Sequence, residues 1–213
     1  MIKYLIKFFC WLHNFSYKAT SFLATKNNNG LHPKHRILNY HQFFIDNICK
    51  EDIVLDIGCG NGAVAFDLAK KAKQVTAIDI RHKNIAVAKN KFSTPPNLEY
   101  VVGDATIYEF QPKFDVIILS NVLEHINKRV EFLIKIKKLA PKILIRVPLL
   151  TRDWLSVYKK DLSFEYRLDK THCIEYTEEN FKREMESADL KIEKYFIKFG
   201  ELYGIINRLD LQD

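Results

Sequence analysis

The run Leu55-Asp-Ile-Gly-Cys-Gly-Asn-Gly62 sets Gly58, Gly60 and Gly62 at alternate positions behind apolar Ile53, Val54 and Leu55 and the acid Asp56. A glycine-rich turn after a buried strand lets a ligand approach backbone, because no Cβ stands in the way. Two ligand classes fit the spelling. Gly58, Gly60 and Ala63 also satisfy G-x-G-x-x-A, the dinucleotide pattern. Asp56, however, puts a carboxylate beside the loop, where it repels a pyrophosphate and suits an ammonium or a sulfonium.

Further acids recur downstream. Asp79 closes an apolar run about 20 residues beyond Gly58, where a carboxylate can accept both hydroxyls of an adenosine ribose. Asp104, in Val102-Gly-Asp-Ala105, suits a donor on an adenine edge, with Ile80 and Ala105 as apolar walls. One Asp at a strand end is often a solvated cap. Three at successive strand ends point to one ligand.

Strands must carry these residues to one place. Apolar runs at 53–57, 74–80, 98–103, 114–120 and 142–148 alternate with helical patterns near 62–72, 82–92, 123–139 and 177–188. That order predicts an α/β fold with a doubly wound, mostly parallel sheet, whose ligand lies outside the carboxyl ends of the strands. Asp56, Asp79, Asp104 and Asn121 all fall there. Residues 191–199 and 202–208, around Gly200-Glu201, read as two strands joined by a tight turn.

Val54-Leu-Asp-Ile-Gly-Cys-Gly-Asn-Gly62, Ala77-Ile-Asp-Ile80, Gly103-Asp-Ala105 and Phe114-Asp-Val-Ile-Ile-Leu-Ser-Asn-Val-Leu-Glu-His-Ile126 resemble the successive motifs of class I S-adenosylmethionine-dependent methyltransferases. The resemblance covers roughly residues 52 to 148. It implies S-adenosylmethionine as cofactor and a Rossmann-like seven-stranded sheet ending in an antiparallel hairpin. Carried over by position, Asp56, Gly58 and Gly60 line the methionine end, with Cys59 between them as a small side chain of the cofactor loop. Asp79 binds ribose, Asp104 and Ala105 hold adenine, and Asn121 sits near the sulfonium. Ser120-Asn-Val-Leu replaces the Asn/Asp-Pro-Pro-Tyr/Phe of adenine-N6 and glutamine-amide methylation, and no Pro-Cys nucleophile serves cytosine-C5 chemistry. The flanks Pro33-Lys-His-Arg-Ile-Leu-Asn-Tyr40 and Thr171-His-Cys-Ile-Glu-Tyr-Thr177 resemble a bacterial subgroup associated with surface-glycan or other small-metabolite assembly.

Methyl transfer from a sulfonium needs alignment and exclusion of water, and a base helps when the acceptor is a hydroxyl. His125 and His172 are the candidate catalytic bases. Arg146, Arg152, Trp154, Tyr158, Tyr166 and Arg167 would form a polar, aromatic acceptor pocket for an anionic or hydroxyl-rich small molecule or glycan-linked acceptor. Cys10, Cys49, Cys59 and Cys173 form no C-x-x-C pair, so no metal site and no disulfide framework is expected, and a reducing cytoplasm fits best.

The net charge of +7 is concentrated at one end. Residues 1–45 hold Lys3, Lys7, Lys18, Lys26, Lys34 and Arg36 and no acid, so the remainder is close to neutral. Nucleic acid is therefore not the expected substrate, since a bulk RNA enzyme spreads its basic surface over the catalytic domain. An RNA methyltransferase using the basic arm, or a non-catalytic S-adenosylmethionine-binding module, are the alternatives. Residues 2–24 show polar Lys3, Lys7, Cys10, Asn14, Lys18, Ser21 and Thr25 at steps of three and four among apolar residues, which predicts an amphipathic helix. Its apolar face has to dock on its own domain, on an anionic membrane surface as a peripheral contact, or on a partner. Pro33 starts a second helix running to about Cys49. Residues 1–50 thus form a helical arm or lid, and 51–213 a methyltransferase domain with a substrate insertion at about 149–171. No stretch is apolar for the ~20 residues a bilayer span needs, and no signal peptide is read.

Overall fold

The structure, a computed structural model, describes residues 1–92, 94–110 and 113–209. Its centre is a seven-stranded sheet: β1 Ile53–Ile57, β2 Gln74–Asp79, β3 Leu98–Val102, β4 Val116–Ser120, β5 Lys142–Pro148, β6 Leu190–Lys198 and β7 Glu201–Arg208. The spatial order is β3-β2-β1-β4-β5-β7-β6, parallel except for β7, which runs antiparallel to both β5 and β6. The expected sheet and hairpin are both present. Phe199 and Gly200, at φ +51° and +71°, make the two-residue turn between β6 and β7.

Alternation along each strand feeds two cores. Leu55, Ile57, Ile117, Leu119, Ile143, Ile145 and Val147 pack on one face with the helices α6 (Arg129–Ile136) and α8 (Glu178–Ser187). Val54, Val116, Ile118 and Leu144 face the other way, against α3 (Tyr40–Asp46) and α4 (Ala63–Ala69). The side-chain period of two makes Asp56 and Arg146 share that second face with Val54 and Leu144.

Three helical boundaries differ from expectation. The arm's first helix, α1, runs Ile2–Asn27, and the predicted second helix is two pieces, α2 (Lys34–Leu38) and α3, separated by Asn39 in the left-handed region at φ +50°. The segment predicted helical over 123–139 begins with a single 3₁₀ turn, Leu123–His125, before α6. Asn121, at φ +57°, lies in the left-handed region where the chain leaves β4. α5 (His82–Lys91) follows β2, and α7 (Trp154–Asp161) lies within the insertion. The Asp153 side chain caps α7 by accepting from Ser156 N at 2.7 Å. Among the described residues, no helix is long and apolar enough to cross a membrane.

Candidate functional site

The sheet's direction of winding reverses between β1 and β4, and the strand ends open there into a cavity of about 970 Å³. Gly58, Gly60, Asp79, Ile80, Asp104, Ala105, Asn121 and His125 all line it. Asp56, Cys59 and His172, also expected at the site, do not.

The glycine loop is shaped by packing on two sides. At Gly58, φ +69°, an added Cβ would meet Val122 Cγ2 at 2.6 Å, whereas at Gly60, φ +55°, it would meet nothing within 4 Å. Gly60 therefore faces the space a ligand would fill. Gly62 keeps α4 close to its neighbours: a Cβ there would meet Tyr100 Oη at 2.5 Å and Ala88 Cβ at 2.7 Å. Cys59 turns into the core beneath, and burial pushes its thiol far above the ordinary range, which leaves it inert as a nucleophile.

The acids behave differently from one another. Asp79 accepts from Gly60 N at 2.9 Å through Oδ2, and from Arg81 N and Asn84 Nδ2 at 2.8 and 3.0 Å through Oδ1. Asp104 Oδ1 accepts from the Thr106 N–H and hydroxyl at 2.9 and 2.7 Å, which shapes the turn after β3. Asp56 is buried, and its Oδ2 has no hydrogen-bond partner; burial first, and then the Asp79 charge, push its pKa up to about 8. Asn121 Oδ1 and both carboxylate oxygens of Glu124 are likewise buried without partners, and burial pushes Glu124 up to about 7.

His125 lines the cavity, with Nδ1 2.9 Å from Thr171 Oγ1. Burial, then the neighbouring His172, lower its pKa below 6.5, so the ring is neutral at physiological pH and able to take a proton. His172 stands behind it, edge to face at 4.6 Å between ring centroids, with Nδ1 2.9 Å from Glu175 Oε1. Its place is in the wall. Glu175 also accepts from Arg152 Nη1 and Leu168 N at 2.9 and 2.7 Å, so one buried carboxylate fastens the whole insertion.

None of Arg146, Arg152, Trp154, Tyr158, Tyr166 and Arg167, expected as a polar, aromatic acceptor pocket, lines this cavity, and each of the three arginines has a carboxylate partner. Arg146 pairs with Glu201 at 2.5 Å and lies over the Tyr40 ring at 3.6 Å; Arg152 binds Glu175, and Arg167 binds Glu165. Trp154 points into solvent at 75 % exposure. Sequence spacing also concealed a cluster: Glu124, His125 and His172 offer ligand atoms within 4.8 Å of one another, a carboxylate and imidazole set of the kind that holds divalent ions. Only the adjacency of Glu124 and His125 signals it; the third member comes from a distant loop.

With this geometry in place, comparisons with known proteins are decisive at the level of the domain. Residues 54–141 match the family described as a methyltransferase domain. Residues 54–141 thus carry a methyltransferase domain. It is 28% identical over 156 residues to a ubiquinone biosynthesis O-methyltransferase of Rickettsia bellii, covering 72% of this chain and 64% of that protein. A probable ribosomal RNA small subunit methyltransferase A of Methanosarcina barkeri is 39% identical over 82 residues, 38% of this chain and 28% of that one. The chain thus spans less than two thirds of the length of these curated relatives. Among solved structures, magnesium protoporphyrin IX methyltransferase of Synechocystis PCC 6803 with bound SAH superposes at a TM-score of 0.65, with 17% identity and 83% of each chain covered. At this level of identity the likeness is one of fold.

Proposed function

We propose that the protein is an S-adenosylmethionine-dependent methyltransferase that methylates a small-molecule or glycan-linked acceptor on oxygen or nitrogen, in the cytoplasm and at the membrane periphery. One observation carries this reading. Among the described residues, the buried side-chain atoms without partners, Asp56 Oδ2, Asn121 Oδ1 and the two Glu124 oxygens, are all carboxyl or amide oxygens at or just beyond the ends of β1 and β4, and Asn121 lines the cavity. Unmet buried acceptors favour a ligand rich in donors and positive charge. An ammonium and a sulfonium on one ligand supply that, and a pyrophosphate does not. Asp79 would take the ribose hydroxyls, with Ile80 and Ala105 as adenine walls beside Asp104.

Bound at this site, S-adenosylmethionine supplies an electrophilic methyl group. The chain's residues align the acceptor and exclude water, and neutral His125 receives a proton from a hydroxyl acceptor. His172 and Glu175 hold the wall that orients His125. The insertion over 149–171 and the arm over 1–50 complete the acceptor side.

Isothermal titration with S-adenosylmethionine is expected to show one site, and incubation with labelled S-adenosylmethionine and fractionated cell extract is expected to move label to an acceptor. Absence of binding would overturn the reading. RNA methylation by the basic arm receives less support, because α1 presents aromatic and aliphatic residues outward, a surface poorly matched to a phosphate backbone.

A further inference from the structure

The helix α1 is mounted with its apolar side out. Every large apolar or aromatic residue from Ile2 to Leu23 except Ile6 is exposed, and Cys10 is its one buried residue. Projected at 100° per residue, Tyr4, Leu5, Phe8, Phe9, Trp11, Leu12, Phe15, Phe22 and Leu23 fill roughly half the circumference. The edge turned to the rest of the chain is the polar one. Lys159, buried on α7, donates to Asn14 Oδ1 at 2.6 Å and lies 3.0 Å from His13 Nδ1; Asn14 Nδ2 donates to Glu165 O at 2.9 Å; Ser21 and His32 hydrogen-bond at 2.9 Å. A helix packed for its own domain's core would be rotated the other way.

What the outward face fits is fixed by charge and by residue type. The helix of 26 residues is about 39 Å long. Lys7 and Lys18 border one edge of its apolar half with Lys3 beyond them, no acid occurs before residue 46, and six basic residues stand in residues 1–45. Phe8, Trp11 and Phe15 form a ladder with ring centroids 6.1 and 5.7 Å apart, amphipathic and aromatic groups of the kind that settle at a headgroup boundary. Lysines at the rim reach anionic headgroups while the rings enter the acyl boundary.

The helix is also tied to the cavity. Glu165, which receives Asn14, pairs with Arg167; Arg167 Nη1 donates to His172 O, and Asp169 and Thr171 of the same loop line the cavity beside His125. We propose that α1 lies in the plane of an anionic membrane surface with its apolar face down, and that the methyl acceptor is an amphiphile held in that membrane. The acceptor half rests on the methyltransferase reading; the membrane half does not.

The test uses the full chain with vesicles of phosphatidylcholine alone or with a quarter phosphatidylglycerol. Co-sedimentation is expected with the anionic vesicles, weakened by salt, and reduced roughly tenfold or more in a Phe8→Ser, Trp11→Ser, Phe15→Ser variant, with S-adenosylmethionine affinity unchanged as the control for folding. No binding to anionic vesicles at low salt overturns the membrane half. So does a parent that sediments in solution as a dimer which the triple variant dissolves, since the face then belongs to a second copy. If vesicle binding holds while titration shows no S-adenosylmethionine site, the methyltransferase reading fails alone. Label from S-adenosylmethionine recovered in organic-extractable lipid of added membranes supports the acceptor half, and label confined to water-soluble products overturns it.

Discussion

Asp79 Oδ2 accepts the backbone N–H of Gly60 at 2.9 Å, so the acid that ends β2 holds in shape the loop that leaves β1. In the proposed function the same carboxylate would also bind ribose. Asp79→Ala is therefore expected to weaken S-adenosylmethionine binding by more than loss of a ribose contact alone, on the order of 2–4 kcal/mol, or about 30-fold upward. Isothermal titration measures this, and Asp79→Asn, which keeps one acceptor for Gly60, should recover part of it. An unchanged affinity in Asp79→Ala would remove the cofactor assignment.

The glycines of the loop separate binding from stability. Ala at Gly60 meets open space and has only the cost of a left-handed backbone, about 1–2 kcal/mol, yet places a methyl where the ligand goes. Ala at Gly62 strikes Tyr100 and Ala88. Thermal melts and cofactor titration should therefore split: Gly60→Ala loses affinity with a modest drop in Tm, and Gly62→Ala loses the larger part of its stability.

How far these features can be read without the fold depends on whether neighbours in sequence are neighbours in space. Asp79, Asp104 and Asn121 were legible because a parallel sheet puts every strand's carboxyl end on one edge, and the strands themselves are short buried runs. The partners of Arg146, Arg152 and Arg167 were not legible as pairs. Glu201 reaches Arg146 only because β7 inserts beside β5, a register that no local pattern encodes. The amphipathic period of α1 was equally plain, but periodicity does not say which side docks. That was settled by Lys159 and Glu165, two positions in the insertion.

The elevated pKa of Asp56 makes stability and, under the proposed function, cofactor binding depend on pH. Its folded value of about 8 exceeds the unfolded value of 3.8, so between them the native state holds a proton that the unfolded state has lost. The ligand-free protein therefore loses stability as pH rises toward 8, by at most about 1.4 kcal/mol per pH unit from this group, and levels off above it. A cationic ligand prefers the ionised carboxylate, so S-adenosylmethionine affinity should rise over the same interval, with proton release at pH 7. Titration in buffers of different ionisation enthalpy reads the proton, and Asp56→Asn should flatten both profiles.

Under the proposed function, His125 is the cavity residue whose ionisation would bear on turnover. Burial and His172 hold its pKa below 6.5, so the base form dominates at neutral pH and is lost only on the acid side of that value. If the acceptor is a hydroxyl, kcat should show an acid limb with its midpoint below 6.5. His125→Gln should abolish that limb and lower kcat by roughly 10²–10⁴-fold while S-adenosylmethionine affinity stays near the parent's, since the ring takes a proton and does not seat the cofactor. Glu175→Gln, which removes the anionic partner of His172 without touching the cavity, should lower kcat less and leave the acid limb in place. Production of S-adenosylhomocysteine against pH, with any acceptor fraction that takes label, measures all three. A pH-independent kcat in the parent with no loss in His125→Gln would mean that the acceptor is already deprotonated when it attacks, as an amine or carboxylate would be, and His125 would then be part of the wall like His172.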